Sequence, residues 1–390
     1  MKLPYRAHTA LIGPLLLCAA VPARAAGPDT VFIVGGEGRV LAASNPLLLP
    51  SGRRAAILAE ASLRPQLTLS SDTGDSLALD GVFTGRTYSR RYGHYLLGGA
   101  RALGTIRSNE RLTITAATAF QRDITVDTLA TSVDALVDPT SIRNSWRGEA
   151  AVDWRPDART VILPSITAER STYGRSLVLQ NTKSASFGLA VRRRLDEVTE
   201  LGIRAITTLS RVAAQPNLNR LALFATIDRR LTDAWRLEAE IGMERIGAVR
   251  SDDAGVFSDR PAQTAMSGRV RLCREGGLLD ACLTARRGSE VSAIDGFQRR
   301  SAASLSATRR IDARSAISTE FEYERIAGSN GSTFRRSLDA QRAIVRYERR
   351  LNERLTLSGE VEFLRRQLGI GSTPRSAFAG VRLRWESRRR

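Results

Sequence analysis

The chain has 390 residues and a formal net charge of +19, with only 2 His, 3 Cys and 3 Met. So few imidazole and sulfur ligands argue against metal centres, disulfide-rich scaffolds and nucleophile–histidine catalysis. The 59 Lys and Arg residues are spread among 40 Asp and Glu residues, and no nucleic-acid recognition motif is present. We therefore expect no catalytic residue, no metal, no cofactor and no nucleic-acid partner.

The first 25 residues have the three parts of a secretory signal peptide. Two cations precede an apolar stretch at 10–21, and 23–25 is a small-x-small cleavage site. A lipoprotein signal at Cys18 is the alternative, but Leu17 stands where such signals need a small residue. We therefore predict a mature chain that lies outside the cytoplasm.

Residues 26–53 allow three interpretations. They hold an apolar segment at 31–43 that fits a first strand, but a plug or a periplasmic tether is equally consistent with the pattern. The Gly-Gly-Glu-Gly sequence at 35–38 lacks the Lys-Ser/Thr of a phosphate loop and is interpreted as a turn.

From residue 54 to 390, a turn followed by alternating apolar and polar residues recurs every 37–48 residues or so, with one double gap. After the turn at Asn352, for example, Leu357 and Val361 have one parity, and Ser358 and Glu360 have the other. Alternating runs of ten or more residues exceed the roughly 5–6 of a soluble sandwich strand, and no apolar run reaches the ~18 of a spanning helix. The pattern predicts an all-β fold, an antiparallel transmembrane β-barrel.

Seventeen runs can be assigned as strands, and because single-chain barrels normally have an even number we expect roughly 16–18 strands. A strand within 31–43 would make the count even. The short turns are predicted to be periplasmic, and the longer connections at 127–144, 250–262 and 328–335 extracellular. The assigned runs are 55–69, 76–89, 94–106, 110–124, 144–156, 159–172, 179–193, 198–211, 219–231, 235–248, 262–274, 278–291, 296–310, 314–327, 335–350, 353–368 and 374–386.

Large aromatic residues fall near the predicted strand ends, where the two membrane interfaces would lie. Tryptophans mark the short-turn side and tyrosines the other side, which predicts two aromatic belts. The residues are Trp154, Trp235 and Trp385, and Tyr88, Tyr92, Tyr95 and Tyr173.

The lumen face of the predicted strands carries charges of both signs. Opposite charges on neighbouring strands would form cross-strand ladders. A more basic hairpin would attract an anion or acidic polymer, so a structural and a functional interpretation both stand. The residues are Glu320, Glu322, Glu360, Glu362, Arg342 and Arg346 for the ladders, and Arg269, Arg271 and Arg286 for the basic hairpin.

Cys273 and Cys282 flank the turn at 275–280. Antiparallel pairing about that turn places them opposite each other on the inward face, and the periplasm is oxidising. We predict a cross-strand disulfide, with two separate thiols as the alternative.

Two sequence features resemble known outer-membrane proteins. The segment 376–385 resembles the carboxyl-terminal signal that barrel insertion machinery recognises, although residues 386–390 follow its last aromatic. The segments 109–123 and 352–366 resemble Gram-negative outer-membrane barrels of exopolysaccharide and exosortase systems. The resemblance implies an outer-membrane location, with the barrel insertion machinery, membrane lipids and acidic polysaccharide or export proteins as partners. From the arginine excess we expect some arginines to bind anionic lipopolysaccharide at the rim and others to line the pore.

Three functional hypotheses follow. The first is a transport or secretion-associated barrel that serves exopolysaccharide export. The second is a structural or surface-interaction barrel whose lumen is plugged. An enzyme is the least supported, because His94 is the one histidine left after signal-peptide removal.

Overall fold

A computed structural model describes residues 29–51, 54–90, 92–129, 132–174, 176–213, 217–248, 262–294, 296–327, 337–367 and 372–387. The predicted signal peptide and most of the connections at 250–262 and 328–335 lie outside these residues.

The described residues form 18 β-strands, each antiparallel to the next along the chain, and the first strand also pairs with the last. The sheet is therefore closed and leaves no strand edge, as a barrel in a bilayer requires. The predicted barrel is confirmed. Its strands are β1 Asp29–Ala43, β2 Ala56–Ser70, β3 Ser76–Tyr88, β4 His94–Asn109, β5 Leu112–Ile124, β6 Ile142–Trp154, β7 Thr160–Gly174, β8 Thr182–Arg194, β9 Thr199–Val212, β10 Leu218–Arg230, β11 Trp235–Ala248, β12 Gln263–Arg274, β13 Leu279–Ser292, β14 Gly296–Arg310, β15 Ser315–Ile326, β16 Leu338–Arg350, β17 Leu355–Gln367 and β18 Arg375–Glu386.

Alternating side chains take opposite faces of the wall. On β17, Val361 is 58% exposed on the outside, whereas Ser358 and Glu360 are 3% and 5% exposed inside the barrel. A strand with period two places its apolar set on one face, so the bilayer-facing surface is apolar and the lumen is polar.

The glycine-rich segment 35–38 lies within β1, so its interpretation as a turn is wrong. Its glycines interrupt the apolar alternation but suit a strand whose neighbours approach closely. Glu37, between them, points inward and lies 3.0 Å from Arg64 and 3.5 Å from Arg382. β1 thereby joins the two ends of the sheet.

The short turns gather at one end of the barrel, here the short-turn end, and the other connections form the loop end. At several short turns an Asp or Asn side chain accepts a hydrogen bond from the backbone N–H two residues later, as at Asp157, Asp196, Asp312 and Asn352. These backbone hydrogen bonds lower the pKa of the Asp157, Asp196 and Asp312 carboxyls. This turn geometry is the physical basis of the repeated phrase in the sequence.

The predicted tryptophans lie on the outer face of the barrel, but the predicted tyrosines do not. Trp154, Trp235 and Trp385 are exposed on the outer face at the short-turn end. The tyrosine belt is wrong: Tyr88 and Tyr92 are buried inside the loop end, and their rings lie 5.7 Å apart. Inward-facing tyrosines have hydroxyls that bond the folded connections, as Tyr92 does with the Arg54 carbonyl at 2.7 Å.

Candidate functional site

The connection between β5 and β6 folds into the barrel. Its described residues 125–129 and 132–141, here the inner loop, include the five-residue helix Val133–Val137, whose Ala135 and Leu136 are fully buried. Ser132 caps this helix by accepting a hydrogen bond from the Asp134 N–H at 3.3 Å. Among the described residues no helix is long and apolar enough to span a membrane.

An apolar cap closes part of the loop end. The inner loop packs on the connection after β1 and on the inward-facing upper residues of β1–β3 and β16–β18. The prediction of a loop beginning near residue 127 is right in position, but its apolar side chains draw it inward, away from water. Cap residues include Leu41, Leu48, Leu58, Tyr88, Ile124, Val126, Leu129, Leu136, Leu338, Leu364 and Phe378.

Arg366 of β17 fastens this cap. Its side chain is 2% exposed and donates hydrogen bonds to the carbonyls of Leu136 at 2.9 Å and Leu48 at 3.1 Å. One guanidinium thus joins the wall to the inner loop and to the connection after β1. The helix carbonyls are a favourable partner for a cation, because they carry the negative end of the helix dipole.

The tip of the β13–β14 hairpin also leaves the wall. β13 pairs with β12 only up to Arg287, and β14 pairs with β15 only from Arg300. The described residues between them, 288–294 and 296–299, are here the inner hairpin. Ser289 reaches β11, where its hydroxyl donates to Glu244 at 2.5 Å, and its carbonyl accepts from Arg220 of β10. Since β10 and β13 are not neighbours in the wall, these contacts place the inner hairpin on the lumen side of the wall.

Asp134 joins the inner loop to the inner hairpin. Its carboxylate accepts hydrogen bonds from the Ala293 N–H at 2.9 Å, the Ser292 hydroxyl at 3.2 Å and the Tyr173 hydroxyl. Burial raises the pKa of this carboxyl, and the three hydrogen bonds oppose the rise only in part. One buried acid therefore connects the inner loop to the inner hairpin.

The predicted ladder residues other than Glu320 form a continuous network, here the ion-pair wall, on β15–β18 and β1–β3. Glu360 is its centre: Arg39 lies at 2.6 Å, Arg382 at 2.9 Å and Arg346 at 3.3 Å. Arg342 bridges Glu362 at 2.8 Å and Glu322 at 3.6 Å, and Glu320 follows on the inward face of β15. The wall further includes Glu60 and Arg86, which lie 2.5 Å apart.

The basic hairpin is less purely basic than expected. Arg271 lies 3.7 Å from Glu238, and Arg286 lies 3.7 Å from Glu290. Arg269 lies between Glu240 and Arg286 in the strand register. Acidic residues on the inward face of β11 therefore lie beside basic residues on the inward face of β12.

Cys273 and Cys282 lie opposite each other, with Cα atoms 4.1 Å apart, and are joined by a disulfide. The bond lies near the short-turn end of the β12–β13 hairpin. It covalently joins β12 to β13 at the short-turn end, whereas the opposite end of β13 continues into the inner hairpin.

A lumen cavity with a volume of about 740 Å³ lies beside the inner hairpin. Its lining contains five arginines but only three carboxylates, Asp134, Glu169 and Glu290. Strands β7–β9 contribute a surface of small hydroxyls, here the hydroxyl wall: Ser165, Thr167, Ser171, Thr182, Ser184, Ser186 and Thr208. The arginines are Arg143, Arg147, Arg192, Arg204 and Arg220.

Sequence reasoning missed all five of these arginines. Each occupies an inward position in its strand, but the residues around it in the sequence do not distinguish it from an arginine that faces outward. The signal that was available is the Ser/Thr alternation in β7 and β8, which marks a lumen face poor in ion pairs.

Two further cavities flank the in-folded segments. One of about 520 Å³ lies beside the ion-pair wall along β1–β5. Another, of about 460 Å³, shares Arg204, Arg220, Ser289 and Glu290 with the 740 Å³ cavity. The inner hairpin therefore stands between two basic chambers.

His94 is the one histidine among the described residues. His94 lies at the start of β4, with its Nδ1 2.6 Å from the Thr87 hydroxyl. Within the described part of the chain, no cluster of three His, Cys, Asp or Glu side chains could hold a metal ion.

Comparison with known proteins shows the architecture. No family model and no curated protein sequence matches the chain. The chain is similar to three solved structures from Pseudomonas aeruginosa. OccK5 (OpdH) matches at a TM-score of 0.52 and 9% identity, over 92% of this chain and 99% of that chain. OpdK with vanillate matches at 0.51 and 10%, over 92% and 99%. OccK2 (OpdF) with glucuronate matches at 0.50 and 11%, over 92% and 98%.

The fold is that of an outer-membrane β-barrel. At these identities the likeness extends to the fold alone, so the lumen side chains must be interpreted from their own chemistry.

Proposed function

We propose that the protein is an outer-membrane channel that admits small organic anions through its lumen. The observation that carries the proposal is the 740 Å³ cavity, where five arginines face hydroxyl-bearing strands and only three carboxylates. Its volume is in the range of small-molecule sites, roughly 300–1,000 Å³.

Three of the five arginines present accessible charge. The side chains of Arg147, Arg192 and Arg204 are 54%, 49% and 40% exposed, and each is within 4 Å of one carboxylate. Such half-hydrated groups can exchange a protein carboxylate or water for a solute carboxylate at low cost. The hydroxyl wall offers donors and acceptors for the rest of the solute.

Two structural neighbours were solved with carboxylates, OccK2 in complex with glucuronate and OpdK with vanillate. Those ligands agree with the anion preference inferred from the lining of the 740 Å³ cavity.

Export of exopolysaccharide is the narrower hypothesis from the sequence resemblance. The arginines would attract an acidic polymer too, but the inner loop and inner hairpin divide the lumen into chambers of small-molecule size. Small anions are therefore the preferred cargo, and the polysaccharide role remains a prediction.

A plugged structural barrel is the second candidate, and the apolar cap favours it. The cap joins the inner loop to upper β1–β3 and β16–β18 with buried apolar side chains. This alternative expects no conductance above that of the bilayer.

The test is reconstitution of the refolded chain in planar bilayers and liposomes. We expect discrete conductance steps, a reversal potential of anion-selective sign in a KCl gradient, and faster liposome swelling with glucuronate than with glucose. Absence of steps would favour the plugged barrel, and cation selectivity would refute the anion channel.

A further inference from the structure

Three basic side chains lie in one cross-strand row on the outer wall at the loop end. Arg170 of β7 is in register with Lys183 of β8, and Lys183 is in register with Arg211 of β9. The row continues on β6 with Trp146, which is 41% exposed on the outer face. We call Arg170, Lys183 and Arg211 the basic row.

Within the described part of the chain, the protein supplies no counter-charge to the basic row. Among the residues that the structure describes, none places a carboxylate within 4 Å of these three side chains. Two other outward arginines at this end do have partners: Arg122 donates to the Asn144 side chain at 3.1 Å, and Arg325 lies 3.8 Å from Asp339. Like charges directly opposite each other on adjacent strands destabilise a sheet, so the row favours an external anion.

An apolar surface begins directly below the row. Ile166, Phe187 and Leu209 are 56%, 52% and 54% exposed on the same outer face. The row and this surface together complement an amphipathic lipid: the cations face an anionic head group, and the apolar side chains below them face its acyl chains.

The height of the row fits the interface of a bilayer leaflet. Trp154 pairs with Ile162 near the short-turn end of β7, and Arg170 follows farther along that strand. That separation corresponds to roughly 27 Å of strand and about 21 Å along the barrel axis at a tilt of ~40°, close to the ~25 Å apolar band of such barrels.

We propose that the basic row binds the phosphates of lipid A in the outer leaflet, with its acyl chains on the surface of Ile166, Phe187 and Leu209. Three cations on adjacent strands span about 10 Å, which suits a head group with more than one phosphate better than the single phosphate of a glycerophospholipid. The site lies outside the lumen and does not depend on the proposed transport function.

The test is a titration of the detergent-solubilised barrel with bisphosphorylated lipid A, read by native mass spectrometry. We expect the triple variant Arg170→Gln/Lys183→Gln/Arg211→Gln to bind at least about tenfold more weakly, since each lost charge-assisted contact contributes to affinity. Removal of one lipid A phosphate should weaken binding to the wild type as well. The matched control is Arg193→Gln/Arg229→Gln/Arg309→Gln, which removes the same charge from the outer wall at the short-turn end and should bind lipid A like the wild type.

Two results would overturn the proposal: unchanged lipid A binding by the basic-row variant, or equal binding of phosphatidylglycerol at the same site. Thermal unfolding in lipid-free detergent checks the fold, and the basic-row variant should melt no lower than the wild type, because mutual repulsion is removed. If the triple variant fails to fold, Lys183→Gln alone tests the centre of the row and should weaken lipid A binding severalfold.

Discussion

The ion-pair wall and the hydroxyl wall belong to one barrel but solve the problem of a polar lumen differently. In the first, Glu360 and Glu362 neutralise arginines from β1, β16 and β18, and little charge is left accessible. In the second, small hydroxyls line β7–β9, and three of the five nearby arginines remain 40–54% exposed.

The difference separates stability from function. Buried ion pairs are costly to break, because removal of one partner leaves an uncompensated charge. Half-exposed pairs contribute little to folding, but their charge acts on solutes. We therefore expect mutations in the ion-pair wall to change unfolding and mutations around the hydroxyl wall to change permeation.

The largest effect should come from Glu360→Gln. This change leaves three arginines without their shared carboxylate, and we expect a loss of about 3–5 kcal/mol in the free energy of unfolding. Urea unfolding in lipid vesicles, followed by tryptophan fluorescence, measures it. The matched change Ser184→Ala in the hydroxyl wall should remain within about 0.5 kcal/mol of the wild type. Similar losses for both variants would contradict the distinction between the walls.

The next largest effect concerns the seam where the inner hairpin leaves the wall. β12 and β13 pair only over 268–274 and 281–287, and the Cys273–Cys282 disulfide closes that short ladder. We expect Cys273→Ser/Cys282→Ser to reduce the free energy of unfolding by about 2–3 kcal/mol, because the disulfide restricts the unfolded chain. The wild type in a strong reductant is the control and should lose the same amount. A variant as stable as the oxidised protein would show that the seam needs no covalent closure.

Most of the wall could be predicted from the sequence, because strand alternation is a local property. Each of the seventeen assigned runs overlaps a strand. The one further strand is β1, where Gly35, Gly36 and Gly38 obscure the alternation. The ladder partners followed from parity once the register was known, as Arg342 and Glu362 show.

The inward folds could not be predicted in the same way, since alternation continues through Glu290 and Ser292 after β13 leaves β12. The overlooked signal is composition. A surface loop rarely contains apolar residues such as Val126, Leu129 and Leu136, and their presence indicates a loop that is buried.

A smaller, functional effect is expected at the arginines beside the hydroxyl wall. Arg192→Gln/Arg204→Gln should reduce anion selectivity severalfold in reversal-potential measurements while changing the free energy of unfolding by less than about 1 kcal/mol. Arg193→Gln/Arg229→Gln is the control, because Arg193 follows Arg192 in the chain but faces outward. Equal loss of selectivity in both variants would show that bulk charge, and not the cavity lining, sets the preference.

The smallest effect should be a pH dependence that arises at Asp134, where the inner loop meets the inner hairpin. Its pKa is raised by burial, so the closed arrangement favours the protonated acid. The stabilisation of closure is complete below the ordinary Asp pKa of about 3.9 and is lost as pH rises through the raised value. We therefore expect channel opening to become more frequent as pH rises from about 4 toward neutrality.

The variant Asp134→Asn tests this assignment, because its amide keeps an acceptor for the Ala293 N–H but carries no titratable proton. Its open probability in planar bilayers should be independent of pH and close to the wild-type value in acid. Asp138→Asn, a change in the same loop at a partly exposed acid, should keep the wild-type pH profile. If the Asp134→Asn channel still responds to pH, the titrating group lies elsewhere. Asp134 then holds the inner loop and the inner hairpin together without sensing protons.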